Sequence, residues 1–169
     1  GRLHLDRQVV DLAAVTEQAI DAGRAFIESK GHRLSLTIPA RPLPVDCDPT
    51  RIAQVLINLL NNAAKYTPPG GEIFVTAERS GPVIEIRVRD TGIGIPPGNI
   101  TQVFDLYTRL TPANEHSPDG LGIGLALVKE LVALHDGTVD CHSDGDGTGS
   151  EFVVRLPVHT TPAAEQVRS

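Results

Sequence analysis

Val83-Ile84-Glu85-Ile86-Arg87-Val88-Arg89-Asp90 is the stretch on which the fold turns. Side chains along a strand alternate between faces, so Ile84, Ile86, Val88 and Asp90 share one face while Glu85, Arg87 and Arg89 occupy the other. Asp90 therefore closes an apolar row and points toward the core side. An ionised carboxylate there is costly unless hydrogen-bonded, and it can only accept. The exocyclic amine of adenine is a donor that suits it; the corresponding oxygen of guanine would meet it acceptor to acceptor. Taken alone, Asp90 reads more simply as a turn or cap residue at a strand end.

Outward from this strand, Glu72–Glu78 predicts a second one, joined through a tight Ser80-Gly81-Pro82 connection. Further upstream, residues 1–8 give no clear element. From Val9 the apolar positions Leu12, Val15, Ala19, Ala22 and Phe26 recur in steps of three and four, predicting an amphipathic helix that ends near Lys30-Gly31. Leu34, Leu36 and Ile38 alternate with Ser35 and Thr37 as a short strand stopped by Pro39. Asp48 caps a helix that starts at Pro49, runs through Ile52, Val55, Leu56, Leu59, Leu60 and Ala63, and stops before Pro68-Pro69-Gly70-Gly71.

Downstream, residues 91–120 lack periodicity apart from a patch at Val103, Phe104 and Leu106. Gly120 to Gly124 leads into a third helix, apolar on nearly all sides and so expected to be deeply buried. Strands at Thr138–His142 and Ser150–Leu156 and a Pro/Ala/Thr tail complete the chain. The expected fold class is α+β: a two-layer α/β sandwich with a mixed, mostly antiparallel sheet of about five strands, covered on one face by three helices. The expected organisation is a linker over 1–10, one domain over 11–157 and a tail over 158–169.

Composition narrows the function. A chain of 169 residues, 40% of them hydrophobic, supports one core and not two comfortable domains. Asp and Glu number 21 against 15 Lys and Arg, a net charge of -6 that argues against a nucleic-acid partner. No apolar run approaches the roughly 18 residues of a membrane span. The absence of any Met reads as a piece cut from a longer protein. Cys47 and Cys141 match no metal-ligand spacing and read as reduced, part-buried thiols.

Asp90-Thr91-Gly92-Ile93-Gly94-Ile95-Pro96 sets two glycines where backbone can approach a flat ligand. On the second helix Asn58, Asn62 and Lys65 fall at i, i+4 and i+7, within an arc of roughly 60°. Amides are weak helix formers, so a stripe of them needs a reason other than solvation. Their oxygens can complete a hydrated Mg²⁺ shell, and Lys65 can meet phosphate; a chance polar face is the plain alternative. Gly120-Leu121-Gly122-Ile123-Gly124 opens the third helix with free N–H groups, a phosphate cradle. It is neither the dinucleotide fingerprint nor a P-loop. Gly145-Asp146-Gly147-Thr148-Gly149 reads either as a hairpin turn with Thr148 at the surface, or as a source of a second polar group near the base.

In this order the segments QVLINLLNNAAKYTPPGG, DTGIGIPP, VFDLYTRL, GLGIGLALVKELVALH and GTGSEFVVRLP resemble the catalytic ATP-binding domain of sensor histidine kinases. That domain belongs to the wider superfamily of gyrase, mismatch-repair and heat-shock-chaperone ATPases, and the resemblance covers Leu12 to Pro157. It implies the Bergerat-type fold, with ATP and Mg²⁺ as cofactors. It makes Asn62 the main Mg²⁺ ligand with Asn58 beside it, sends Lys65 to the phosphates and packs Tyr66 on the nucleotide. Asp90 takes the adenine amine, helped by Gly94 and by Thr148 through water, with Gly92, Ile95, Leu121 and Leu125 lining the site. Phe104 anchors a mobile lid over 108–119, from which Arg109 approaches the γ-phosphate, while Gly120, Gly122 and Gly124 line the phosphates. Asn58, Lys65 and Arg109 are the expected catalytic set.

The implied reaction transfers the γ-phosphoryl of ATP to a histidine on a separate dimerisation domain, with a response-regulator receiver domain as the downstream partner. None of His4, His32, His116, His135, His142 and His159 begins the family's acceptor pattern, so the acceptor is expected outside this chain. His135-Asp136 comes nearest, at a helix end where related sequences usually carry two glycines. True ATPases of the superfamily place a Glu at the position of Asn58, and an amide cannot be a general base. Slow turnover follows, from a domain expected to be monomeric here, homodimeric in the whole protein, and cytoplasmic, with the whole protein anchored in the inner membrane or not. The alternatives are a nucleotide-gated interaction module without catalysis, an anti-sigma-type serine kinase, and a doubly wound dinucleotide binder, which fails on strand order.

Overall fold

The quoted stretch forms a central strand. In the computed structural model, which describes residues 4–105 and 123–160, it is β5 (Val83–Asp90) of the sequence β1 (Gln8–Asp11), α1 (Leu12–Ser29), β2 (Arg33–Thr37), β3 (Pro44–Cys47), α2 (Pro49–Tyr66), β4 (Glu72–Ser80), β5, a 3₁₀ turn at Pro97–Gln102, α3 (Ile123–Leu134), β6 (Thr138–His142) and β7 (Ser150–Pro157). The main sheet runs β2-β4-β5-β7-β6. β2 pairs with β4 in parallel and the other pairings are antiparallel. This is the mixed five-stranded sheet that the pattern predicts.

The period-two rows decide which face is covered. Ile73, Val75 and Ala77 of β4, Ile84, Ile86 and Val88 of β5, and Phe152, Val154 and Leu156 of β7 are buried with the apolar stripes of the helices. The opposite face is charged. There Glu85 lies 3.1 Å from both Arg87 and Arg155, which reach on to Glu151 and Asp140. Val153, between Arg87 and Asp140 in the register, is fully buried within this network.

A second, two-stranded sheet was not legible in the pattern. β1 pairs with β3 antiparallel, Gln8 opposite Cys47 and Asp11 opposite Pro44. Asp11 then caps α1, accepting from Ala13 N–H at 3.1 Å and from Leu43 N–H at 2.9 Å, so the helix begins at Leu12 and Val9 belongs to the strand. The far edge of β3 is used as well: His159 N–H donates to Pro44 O at 2.8 Å. Residues 6–10 and 158–159, within the stretches expected as linker and tail, are thus bonded to the body.

α3 departs from the expected all-round burial. Val128, Leu131 and Val132 are fully buried, but Leu134 is 40% exposed. Its end explains the Asp136-Gly137 pair. Gly137 is sterically required, because a Cβ there would overlap Arg155 O and come within 2.8 Å of Leu156 Cδ2. Asp136 occupies the left-handed position (φ 60°), which Asp tolerates better than most residues. It also lies 3.5 Å from Arg7, whose guanidinium donates to Leu134 O at 3.1 Å.

Candidate functional site

Asp90 is 4% exposed. Its Oδ1 accepts from Gly92 N–H at 2.9 Å and Ser150 N–H at 3.2 Å, and its Oδ2 from Ser150 Oγ at 2.8 Å. Burial pushes the carboxyl above the ordinary Asp value, and these three donors offset that only in part. Ser150 was missed in the sequence, although a signal exists. It heads the apolar row of β7 as Asp90 ends that of β5, and the two are register partners.

The loop after Asp90 is fastened to the 143–149 turn. Gly149 N–H donates to Gly92 O at 3.0 Å and Gly147 N–H to Ile93 O at 2.6 Å. The glycines of this loop make room for the protein's own backbone, where the sequence suggested room for a ligand. A Cβ on Gly92 would overlap Tyr66 O, and one on Gly94 (φ 77°) would overlap Gly145 O. Ile95 is buried at 1% exposure. Thr148 is exposed and its hydroxyl closes its own turn onto Gly145 O at 2.6 Å; the hydroxyl bonded directly to Asp90 is that of Ser150.

α2 carries the amide stripe toward this loop. Its cap works as expected: Asp48 accepts from Thr50 and Arg51 N–H at 3.1 and 3.2 Å, and also from Asp6 N–H at 3.0 Å. Asn58 Nδ2 donates to Gly124 O at 3.3 Å, which joins the stripe to the start of α3. Asn62, one turn on, is half-buried, and Lys65 Nζ sits 5.3 Å from the Tyr66 ring centroid. Tyr66 O accepts from Ile93 N–H at 3.0 Å, bringing the end of α2 onto the Asp90 loop. Leu125 is buried and Gly124 exposed. Phe104 packs edge-on against Phe152, ring centroids 5.8 Å apart, which ties the segment leading to the expected lid into the core. Arg109, Gly120, Leu121, Gly122, His116 and the lid over 108–119 lie outside the described residues.

Both thiols are buried, as read. Burial raises Cys47 to about 11 and Cys141 to about 12, the latter helped by the nearby Asp90 charge. They stay protonated and inert at neutral pH. His135 is 2% exposed, with Nδ1 on Leu131 O at 2.7 Å and Nε2 accepting from Asp48 N–H at 3.1 Å. Both ring nitrogens are engaged, which fits a structural histidine better than a phosphoacceptor.

A sheet with helices on one face, a buried Asp at a strand end and a stripe of amides beside a glycine-led helix define a nucleotide-binding ATPase fold. Residues 47–160 match the family described as histidine kinase-, DNA gyrase B-, and HSP90-like ATPase, and the chain belongs to it as a catalytic ATP-binding domain of the histidine-kinase kind. The relatives bear this out. Histidine protein kinase DivJ of Caulobacter vibrioides is 35% identical over 161 residues, covering 95% of this chain and 27% of its own length. Sensor histidine kinase CusS of Escherichia coli K12 is 34% identical over 152 residues, covering 90% and 31%. The chain thus spans under a third of either relative. Among solved structures, the mycobacterial sensor histidine kinase MprB superposes with a TM-score of 0.79 at 28% identity, covering 91% of this chain and 100% of that one. Full-length ShkA in complex with AMPPNP gives 0.80 at 26% identity, covering 96% and 33%.

Proposed function

We propose that this chain is the phosphoryl-donor domain of a sensor histidine kinase. It binds Mg-ATP and passes the γ-phosphoryl to a histidine on a dimerisation domain outside this chain, for onward transfer to a response-regulator receiver domain. Asp90 carries the reading. A carboxylate offers about four lone-pair positions, and Gly92 N–H, Ser150 N–H and Ser150 Oγ fill three of them. The fourth is left for a ligand donor, and the amine of adenine supplies one where guanine presents an oxygen.

From the base, the triphosphate would run along α2 past Tyr66 and Lys65 toward Gly124, with Arg109, Gly120, Leu121 and Gly122 completing the phosphate end. The donor set suits Mg²⁺ that arrives with phosphate. Among the described residues no three His, Cys, Asp or Glu side chains gather to hold a metal, whereas Asn62 and Asn58 offer amide oxygens. Asn58 spends its Nδ2 on Gly124 O, which leaves Oδ1 for a cation. Two such oxygens fall short of an octahedral shell, so phosphate oxygens and water would supply the rest. Bound there, the ion would neutralise charge on the transferring group.

In the transfer, an imidazole nitrogen of the acceptor bonds to the γ-phosphorus as the bridging P–O bond breaks and ADP leaves. Positioning and charge suffice for this step, and no general base stands at Asn58, so water is activated poorly. The whole protein would work as a homodimer from the cytoplasmic side. Among the described residues no helix is long and apolar enough to cross a membrane.

The test supplies a separate dimerisation domain with its histidine, together with Mg-ATP and this chain. Acid-labile phosphate on the supplied domain is the expected result; its absence overturns the reading. So does hydrolysis by this chain alone at about 1 per second, a kinase-like rate, if it disappears in Asp90→Asn.

A further inference from the structure

We propose that Ser143 is a positioning residue for purine recognition: its hydroxyl sets the spacing between the loop after Asp90 and the 143–149 turn, and so decides how firmly adenine is held. This rests on the ATP-binding reading above. A hydroxyl has one proton and two lone pairs. The proton of Ser143 goes to Gly149 O at 2.7 Å, and the lone pairs accept from Ile95 N–H at 2.9 Å and Gly145 N–H at 3.3 Å. Its capacity is fully used, and the loop after Asp90 and both arms of the 143–149 turn meet on one oxygen.

The segments it joins are those that hold Asp90. Gly149 precedes Ser150, whose two donors meet the carboxylate, while Ile95 ends the loop whose Gly92 supplies the third. The other cross-links, from Gly147 to Ile93 and from Gly149 to Gly92, are backbone to backbone. Ile95 N–H instead goes to the Ser143 side chain. Deleting the hydroxyl leaves Ile95 N–H and Gly149 O without that partner in a part-buried place, which costs more than an average hydrogen bond. They recover by admitting water or by moving the loop. Either outcome displaces Gly92–Ile95 relative to Asp90, the edge against which a purine would lie.

The experiment titrates ATP and GTP calorimetrically into wild type, Ser143→Ala, Ser143→Thr and Thr16→Ala, and follows hydrogen exchange at the Ile95 amide. Thr16 donates to Leu12 O at 2.8 Å in α1, away from the site, and serves as a variant weakened elsewhere. Ser143→Ala is expected to lose about tenfold in ATP affinity, to narrow the ATP-over-GTP preference and to speed Ile95 exchange. Ser143→Thr, which keeps the hydroxyl, restores all three, and Thr16→Ala changes none. If Ser143→Ala fails to fold, Ser143→Cys, with its weak donor and acceptor, carries the same expectation with a smaller loss. Wild-type affinity and preference in Ser143→Ala, or an equal loss in Thr16→Ala, overturns the positioning role alone. A wild type that does not bind ATP overturns the nucleotide reading and this one with it.

Discussion

Two buried aspartates divide the molecule between them. Asp48 and Asp90 are 6% and 4% exposed, and each accepts three hydrogen bonds. Their acidities nevertheless move in opposite directions. Burial pushes Asp48 up, but the N–H donors of Asp6, Arg51 and Thr50, with the Arg51 charge, more than offset it, so it ends below the ordinary value. At a helix start the free N–H groups and the dipole also favour a negative charge. Asp90 lies much deeper, has no cation among its partners and ends above the ordinary value. Equal numbers of donors do not make equal sites. One carboxylate is held as the anion by its helix cap, while the other is kept ionised at a cost that the proposed ligand would offset.

The sharpest way to break that contrast is Asp90→Asn. The amide keeps an acceptor for Gly92 and Ser150 but turns a donor toward the adenine amine. ATP affinity by calorimetry should fall about a hundredfold or more, with the urea midpoint held or raised because a buried charge is gone. Unchanged affinity would mean that Asp90 is a second structural acid.

Acidification separates the two residues next. Asp48 is depressed in the folded state, so its contribution is complete above the unfolded value near 3.8 and is lost as pH falls through the lower folded value. Asp90 is raised, so its cost is present above its folded value and relieved as pH falls through that value toward 3.8. Protonation there also turns an acceptor oxygen into a donor. ATP affinity should therefore decline, by up to about tenfold per pH unit, while circular dichroism still reports a folded chain. Simultaneous loss of binding and fold would erase the distinction.

Asp48→Ala should do the reverse of the Asp90 change. Removing the cap costs about 1–2 kcal/mol, seen as a lower urea midpoint, with ATP affinity per folded molecule unchanged. The smallest effect is expected from Asp136→Gly, which relieves a left-handed non-glycine residue by at most about 1 kcal/mol. The ion pair it sacrifices to Arg7 is mostly solvent-exposed and worth little.

The long periodic elements were legible because their rows are local. β5, α1, α2 and β7 lie within two or three residues of where alternation and helical spacing put them. β1 and β3 were hidden by their four-residue lengths and by the prolines around β3, although Val45 and Cys47 share a buried face. At the site, Asp90 and the amide stripe could be read from residue type; Ser143 could not, and Ser150 offered only its place at the head of the β7 row, which does not name its partner. Their partners Ile95 and Asp90 lie 48 and 60 residues away, and nothing in local spacing reports a bond of that span. The glycines were noticed for their backbone freedom, which does not itself say that Gly92 and Gly94 lie against Tyr66 O and Gly145 O.

The short strand β3 has a further consequence. Gln8–Asp11 line one edge of it and His159 bonds to the other at Pro44, so β3 stands between the stretch that enters α1 and the stretch that follows β7. Strain reaching β1 or His159 is therefore passed to β3, which leads through Asp48 directly into the helix carrying Asn58 and Asn62.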